Sequence, residues 1–327
     1  MPADNLVQFL RTNEQIEIIE SVQAHKLIKI NAFAGTGKTS TLQHITTHYG
    51  NKTFLYLAYN KSIQLDAVGK FSKNVEVKTI HSLAYRYIAS NTKLDLKNIK
   101  NHTVKDFANL FNTSNSRGKE ILDVFTNYCN SSVSEMNYDN YSKYIRDIIE
   151  QIEAKNLPVS FDYLLKKFQL LLTIGLATKS YDVVMLDEAQ DSSNVTLDIF
   201  SKLNATHKIL VGDKHQQIYS FRESANIMEI LDGYELPLTQ TFRFPKNIAT
   251  IANLLLERYK NENLKIVSEK DEISLDEILK DESKTIGYIS RGNAGLIHSM
   301  IELSANKIPY KTIRNPKEIF ITIKDIG

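Results

Sequence analysis

Cysteine is almost absent from the 327 residues. Cys129 stands alone, so no disulfide can form within the chain, and a reducing, cytoplasmic setting is the expectation. An excess of one charge is missing as well. Lys and Arg number 40 against 38 Asp and Glu, a net charge of +2. No global field therefore announces a polyanion partner, and any nucleic-acid surface must be a local stripe. Long apolar runs are also lacking. The longest, about Leu170 to Ala177, is far short of the roughly 20 residues that a membrane helix needs. The opening residues, MPADNLVQFLRTNEQ, hold no apolar signal core. What remains is the composition of an ordinary globular protein, long enough for two domains.

The most informative stretch is Asn31 to Thr41, NAFAGTGKTST. The apolar run Leu27–Ile30 before it reads as a buried strand, and Ser40–Ile45 after it reads as a helix. Strand, glycine-containing loop, Gly-Lys-Thr and helix form the arrangement of a phosphate-binding loop. Gly35 and Gly37 let the backbone turn its amides inward around phosphate oxygens. The helix start adds free N–H groups and the positive end of a dipole. Lys38 can reach the β- and γ-phosphates, and Thr39 offers a hydroxyl to Mg²⁺. The strict pattern carries glycine where this chain has Ala32.

Around this loop the pattern strand, loop, helix recurs. Residues 5 to 24 read as helical, restarted by Thr12 with Gln15 as its capping-box partner. Gln15 is either a cap alone or an adenine reader, since an amide donates and accepts at once. Thr53–Ala58 and Val75–Lys78 read as strands. Such repetition indicates a parallel sheet, whose ligands meet the loops at the carboxyl ends of its strands. Tyr59, Asn60, Lys61, Thr79 and His81 fall there, a set suited to holding the backbone and bases of a single strand. Residues 91 to 180 change to polar-punctuated helical patches, at Val104–Phe111, Ile121–Tyr128, Tyr141–Ile152 and Phe161–Leu172. They read as a helical insertion.

The strand pattern resumes at Tyr181–Leu186 and ends in Asp187-Glu188-Ala189-Gln190-Asp191. Beside a phosphate loop, two adjacent carboxylates at a strand end divide the work. Asp187 holds Mg²⁺ and Glu188 polarises the attacking water. After the strand Lys208–Val211, Gln216 can report the state of a γ-phosphate. Tyr219, Phe221 and Arg222 offer two rings and a planar cation for base stacking, although a helical core would also use Phe221. Arg243 can stabilise transferred charge as an arginine finger. Ile286–Ser290 and Ile308–Ile313 read as two further strands. His44 and His48, one turn apart with no third ligand, read as ordinary helix-face residues.

Taken in order, AFAGTGKTST, VVMLDEAQD, VGDKHQQIYSFR and LTQTFRF resemble the motifs of a UvrD-like superfamily 1 DNA helicase, and TNEQ resembles its adenine-reading glutamine motif. The first-position alanine of the phosphate loop is that group's own form. LAYNKS, KTIHSLAYR and HQQIYSFR are especially similar to the F-box DNA helicase branch, here without an F-box segment. The resemblance implies an α/β fold. A RecA-like P-loop domain (1–90 and 176–235) carries a helical insertion (91–175), and a partial second RecA-like domain follows (236–327). It implies that Gln15 reads adenine with Phe242 stacked near it. Ala34, Gly35, Thr36, Gly37, Lys38, Thr39 and Ser40 hold the phosphates, Asp187 and Thr39 hold Mg²⁺, and Glu188 is the base. Gln216 senses the γ-phosphate, and Arg243 enters from the second domain. Tyr59, Asn60, Lys61, Thr79, His81, Tyr219, Phe221 and Arg222 line the single-strand track.

Two departures stand out. Glu223-Ser224 replaces the family's Gly-Ala after Phe-Arg, and the later motifs of the second domain are missing before Gly327. The expected function is an ATP-dependent 3′→5′ helicase or translocase using Mg²⁺ and single-stranded DNA, or duplex with a single-stranded tail. It is expected to be C-terminally incomplete, with a second polypeptide as one source of the missing motifs. The alternative is an ATP- and DNA-binding module without unwinding activity. A P-loop kinase is disfavoured by the DEAQ box and the QQIY stretch.

Overall fold

The computed structural model describes residues 11–134, 142–217, 231–274, 285–290 and 292–313. The chain divides into two compact units, Met1–Asp271 and Glu272–Gly327.

In the first unit the elements follow in order. They are α1 (Asn13–Ser21), β1 (Leu27–Ala32), α2 (Lys38–His48), β2 (Phe54–Ala58), α3 (Lys61–Val68), β3 (Val75–Thr79) and α4 (Ile80–Asn91). The insertion supplies α5 (Val104–Leu110), α6 (Asn115–Asn130), α7 (Ser142–Glu153) and α8 (Phe161–Thr173). Then come β4 (Tyr181–Leu186), α9 (Asn194–Lys202), β5 (Ala205–Gly212) and β6 (Tyr234–Leu238). Among the described residues, β1 to β6 form one sheet in the order β3-β2-β4-β5-β1-β6, every neighbouring pair parallel. The near-continuous apolar runs of β2 and β4 fit strands covered on both faces. Alternation along β2 divides its side chains. Phe54 and Tyr56 join Ile18, Leu42 and Ile45 under α1 and α2, while Leu55 and Leu57 join the opposite core.

The helices expected as an insertion over 91–175 pack into that opposite core. Phe107, Phe125, Ile148 and Phe168 pack in one continuous cluster with Leu55, Leu57, Val184 and Leu186. Each is worth about 1.5–3 kcal/mol when fully buried. A parallel sheet must be covered on its second face, and the insertion provides that layer. Cys129 is fully buried there, and burial raises its thiol pKa. Lys166 of α8 is fully buried as well. It donates to the Ser131 carbonyl at 3.1 Å just past the end of α6 and sits 4.5 Å from the centre of the Tyr128 ring. Burial lowers its pKa to about 8.

The first sheet also takes in residues around position 236, where a second domain is expected to begin. Leu236 and Leu238 lie inside β6, paired with Ile30 and Ala32 of β1, and both are buried in the first core. Pro237 is tolerated because β6 is the sheet's edge. Beyond it, β7 (Gln240–Thr241) and β8 (Val267–Ser268) make a short parallel pair around the helix Lys246–Lys260. In the second unit the described residues hold the helix Asn293–Ala305. The strands expected at Ile286–Ser290 and Ile308–Ile313 do not form among the described residues. Ile289 and Ile313 are left fully exposed, and strands with nothing to pair with or pack against are not stable.

Candidate active site

β1 delivers the chain to the carboxyl edge of the sheet, where it turns through Phe33–Gly37 into α2. Gly35 has φ +75° and Gly37 φ +81°, a region that residues with a Cβ rarely adopt. Thr36 is buried, and its hydroxyl donates to the Phe33 carbonyl at 2.8 Å, tightening the turn. No side chain caps α2, so its first amides stay available to an anion. Thr39 is half-buried and Ser40 exposed on that first turn. Ala32 explains the missing glycine. It is still a strand residue, paired with Leu238 and buried, and needs no unusual backbone freedom.

β4 ends in Asp187, which is 4% exposed. Its Oδ2 accepts from the Tyr56 hydroxyl at 2.5 Å and its Oδ1 from the Glu188 amide at 2.9 Å. Burial raises the Asp187 pKa, and the Glu188 charge adds to the rise, while the Tyr56 bond and Lys38 oppose it. Burial also raises the pKa of Tyr56, reinforced by Asp187, so the phenol stays a donor. Glu188 holds a left-handed φ of +50°, uncommon for a residue with a side chain. That twist turns its carboxylate toward the phosphate loop, where Oε2 lies 2.7 Å from Lys38 Nζ.

Between β1 and β4 lies β5, so this contact spans an intervening strand. β5 ends in Gly212, where a Cβ would stand 2.3 Å from Gln190 Oε1. The space is taken by the Gln190 amide. Its Nε2 donates to Glu188 Oε2 at 2.7 Å and its Oε1 accepts from the Asp213 amide at 3.1 Å. Asp213 in turn accepts from Gln216 Nε2 at 2.7 Å. Gln216 is thus exposed and joined to the acid pair through Asp213 and Gln190. Gln190 is the residue that sequence reasoning passed over, although it is the fourth letter of the DEAQ box. A Gln190→Leu variant is expected to lose about 1–3 kcal/mol of stability, because the buried Asp213 N–H loses its acceptor. Urea unfolding measures this, and ATP hydrolysis is expected to fall with it as Glu188 loses its donor.

Gln15 is 4% exposed and serves the capping role fully. Its Oε1 accepts from the Thr12 amide at 3.1 Å, and its own amide donates to Thr12 Oγ1 at 3.2 Å. Its Nε2 also donates to Thr41 Oγ1 at 3.1 Å, which holds the amide against the start of α2. The segment after β6 wraps the same loop. Thr241 Oγ1 donates to the Ala34 carbonyl at 2.8 Å, and the Phe242 amide donates to the Gly35 carbonyl at 2.8 Å. The half-exposed Phe242 ring flanks Gly37 beside Gln15. Arg243 is exposed, and its backbone lies against Gly35. The resemblance drew Arg243 from a second domain. It belongs instead to the first compact unit, because β6 is a strand of the first sheet.

Ala58 and Thr79 are register partners, so the ends of β2 and β3 do bring Tyr59, Asn60, Lys61, Thr79 and His81 together. Several have structural work. Asn60 caps α3 through the Ile63 amide at 2.9 Å, and Thr79 caps α4 in a capping box with Ser82. Lys61 donates to Gln64 at 3.0 Å. His81 meets Phe161 edge to face at 6.1 Å, and burial lowers its pKa. Tyr219, Phe221 and Arg222 lie outside the described residues. His44 and His48 join no metal-holding group among the described residues.

Residues 15–222 match the AAA_19 family, described as an AAA domain, over more than half of the chain. The chain belongs to this family. The AAA-domain match spans the phosphate loop and the acid pair. Relatives in sequence are helicases by name. The F-box DNA helicase protein 1 of Schizosaccharomyces pombe is 27% identical over 95% of this chain and 40% of its own length. The F-box DNA helicase 1 of Gallus gallus is 28% identical over 78% of this chain and 28% of its own length. A probable DNA helicase II homolog of Mycoplasma pneumoniae is 24% identical over 70% of this chain and 40% of its own. These matches bear out the resemblance to UvrD-like superfamily 1 helicases. The AAA-domain chain spans well under half the length of each of these three relatives. Among the described residues no helix is long and apolar enough to cross a membrane.

Proposed function

We propose that this chain is the motor portion of an ATP-dependent DNA helicase or translocase moving 3′→5′ on single-stranded DNA. The observation that carries it is the 2.7 Å contact of Lys38 in the phosphate loop with Glu188, the neighbour of the buried Asp187. The residues present fit a nucleotide with Mg²⁺, because no side chain caps the start of α2 and Asp187 is a buried carboxylate at the end of β4. ATP with Mg²⁺ supplies the phosphoryl bond whose hydrolysis drives the cycle. The amides of Gly35 to Thr39 bind the phosphates, and Lys38 orients the terminal one. Asp187 and Thr39 hold the cation. Glu188 takes the proton of the attacking water, and Gln190 fixes its carboxylate for that task. Gln216 reports the γ-phosphate, Arg243 adds positive charge, and Gln15 with Phe242 receives the base. Tyr59, Asn60, Lys61, Thr79 and His81 begin the DNA track, which Tyr219, Phe221 and Arg222 extend.

A second reading is an ATP- and DNA-binding module without unwinding activity. The chain spans only 28–40% of the relatives named above. ATP hydrolysis with and without single-stranded DNA, followed by strand displacement on 3′- and 5′-tailed duplexes, separates the two. The helicase reading expects stimulated hydrolysis and displacement on the 3′-tailed duplex. Stimulated hydrolysis without displacement supports the module, and hydrolysis indifferent to DNA overturns both.

A further inference from the structure

One buried carboxylate near the phosphate loop has no part in the proposal above. Glu262 follows Asn261, whose left-handed φ of +50° ends the helix Lys246–Lys260. Its side chain is 5% exposed. Oε2 lies 2.6 Å from Lys214 Nζ and 2.7 Å from His215 Nε2, and Oε1 accepts from the Leu264 amide at 3.0 Å. Burial pushes this carboxyl up, but Lys214, the Leu264 amide and His215 together outweigh it and hold its pKa at about 2.

His215 connects this anion to the site in two directions. Its amide donates to Asp213 Oδ1 at 2.9 Å, and the Asp213 amide donates to Gln190, whose Nε2 reaches Glu188. Its ring lies parallel to that of Phe33, the first residue of the phosphate loop, with centroids 6.0 Å apart. Phe33 is itself packed against Ala249 of the helix that Glu262 follows. The contacts therefore close a ring from phosphate loop to acid pair to the end of β5, then to Glu262 and back through Phe33.

We propose that Glu262 is a positioning residue for hydrolysis. It fixes His215, which sets the turn after β5 and, through Asp213 and Gln190, the aim of the Glu188 carboxylate. The inference rests on the ATPase assignment but concerns residues given no role in it. Small displacements of a general base cost rate far more than binding, up to about a hundredfold for a misplacement near 1 Å. Steady-state ATP hydrolysis of the full chain with single-stranded DNA present tests it, using Glu262→Gln, His215→Gln and the double variant. Each single change is expected to lower kcat by about tenfold to a hundredfold with KM for ATP within about twofold. The double variant is expected to be no slower than the worse single one, since both act through one contact. Should Glu262→Gln fail to fold, as judged by its thermal transition, His215→Gln alone carries the kcat and KM comparison. An unchanged kcat in the folded variants, equal losses in kcat and affinity, or strictly additive effects overturn the inference. A wild-type chain without ATPase activity overturns the functional reading and this one together, whereas a normal wild type with an unaffected variant overturns this one alone.

Discussion

Replacing Glu188 by glutamine is expected to lower ATP hydrolysis by about 10²- to 10⁴-fold while leaving nucleotide affinity nearly unchanged. The change keeps size and shape. An amide oxygen can still accept from Gln190, so the local hydrogen bonding survives. What disappears is the capacity to take a proton, together with the negative partner 2.7 Å from Lys38. Without that partner the lysine is freer to engage phosphate, so affinity is expected to hold or rise slightly. Lys38→Ala should fail differently, weakening binding and hydrolysis together because the charge that orients the terminal phosphate is gone. Single-turnover hydrolysis and equilibrium binding of a fluorescent ATP analogue distinguish the two patterns. A Glu188→Gln protein hydrolysing at the wild-type rate removes the general-base assignment.

Gly35→Ala is expected to cost about 2–5 kcal/mol at the phosphate loop, from roughly 1–2 for the left-handed backbone and 1–3 for overpacking. A Cβ at Gly35 would stand 2.3 Å from Arg243 Cβ and 2.8 Å from Thr241 Oγ1. The nearest atom is fixed to the backbone, so no side-chain rotation relieves the clash. The loop and the strand-end segment must separate, and the bond between the Phe242 amide and the Gly35 carbonyl goes with them. Gly37→Ala is the natural control. Its φ is equally positive, but the nearest atom is the end of the flexible Gln15 side chain at 3.3 Å. The expected order of damage, in thermal unfolding and in ATP affinity, is Gly35→Ala well above Gly37→Ala. Equal effects would show that backbone strain alone matters and that the embrace by Thr241–Arg243 does not.

Much of this site was legible in the chain itself. The phosphate loop, the acid pair and the capping box of Thr12 with Gln15 are local patterns, each written within a few consecutive residues. The parallel sheet followed from repeated apolar strands with helices between them. What escaped depends on residues distant in sequence. Gln190 looks like any polar loop residue until Gly212, more than twenty positions on, leaves room for its amide. Strand β6 reads equally well as the start of another domain, since only pairing with β1 reveals its sheet. The strands expected near the end of the chain had the right composition, but a strand exists only where a neighbour accepts its hydrogen bonds.

The layer formed by α5 to α8 carries a mechanical consequence. Its aromatic residues are wedged among the side chains of β2 and β4, so prying it away would open a large void and bare Leu57 and Val184 to water. These helices and the six-stranded sheet therefore form a single block. In the motor proposed above, any swing has to pivot elsewhere along the chain.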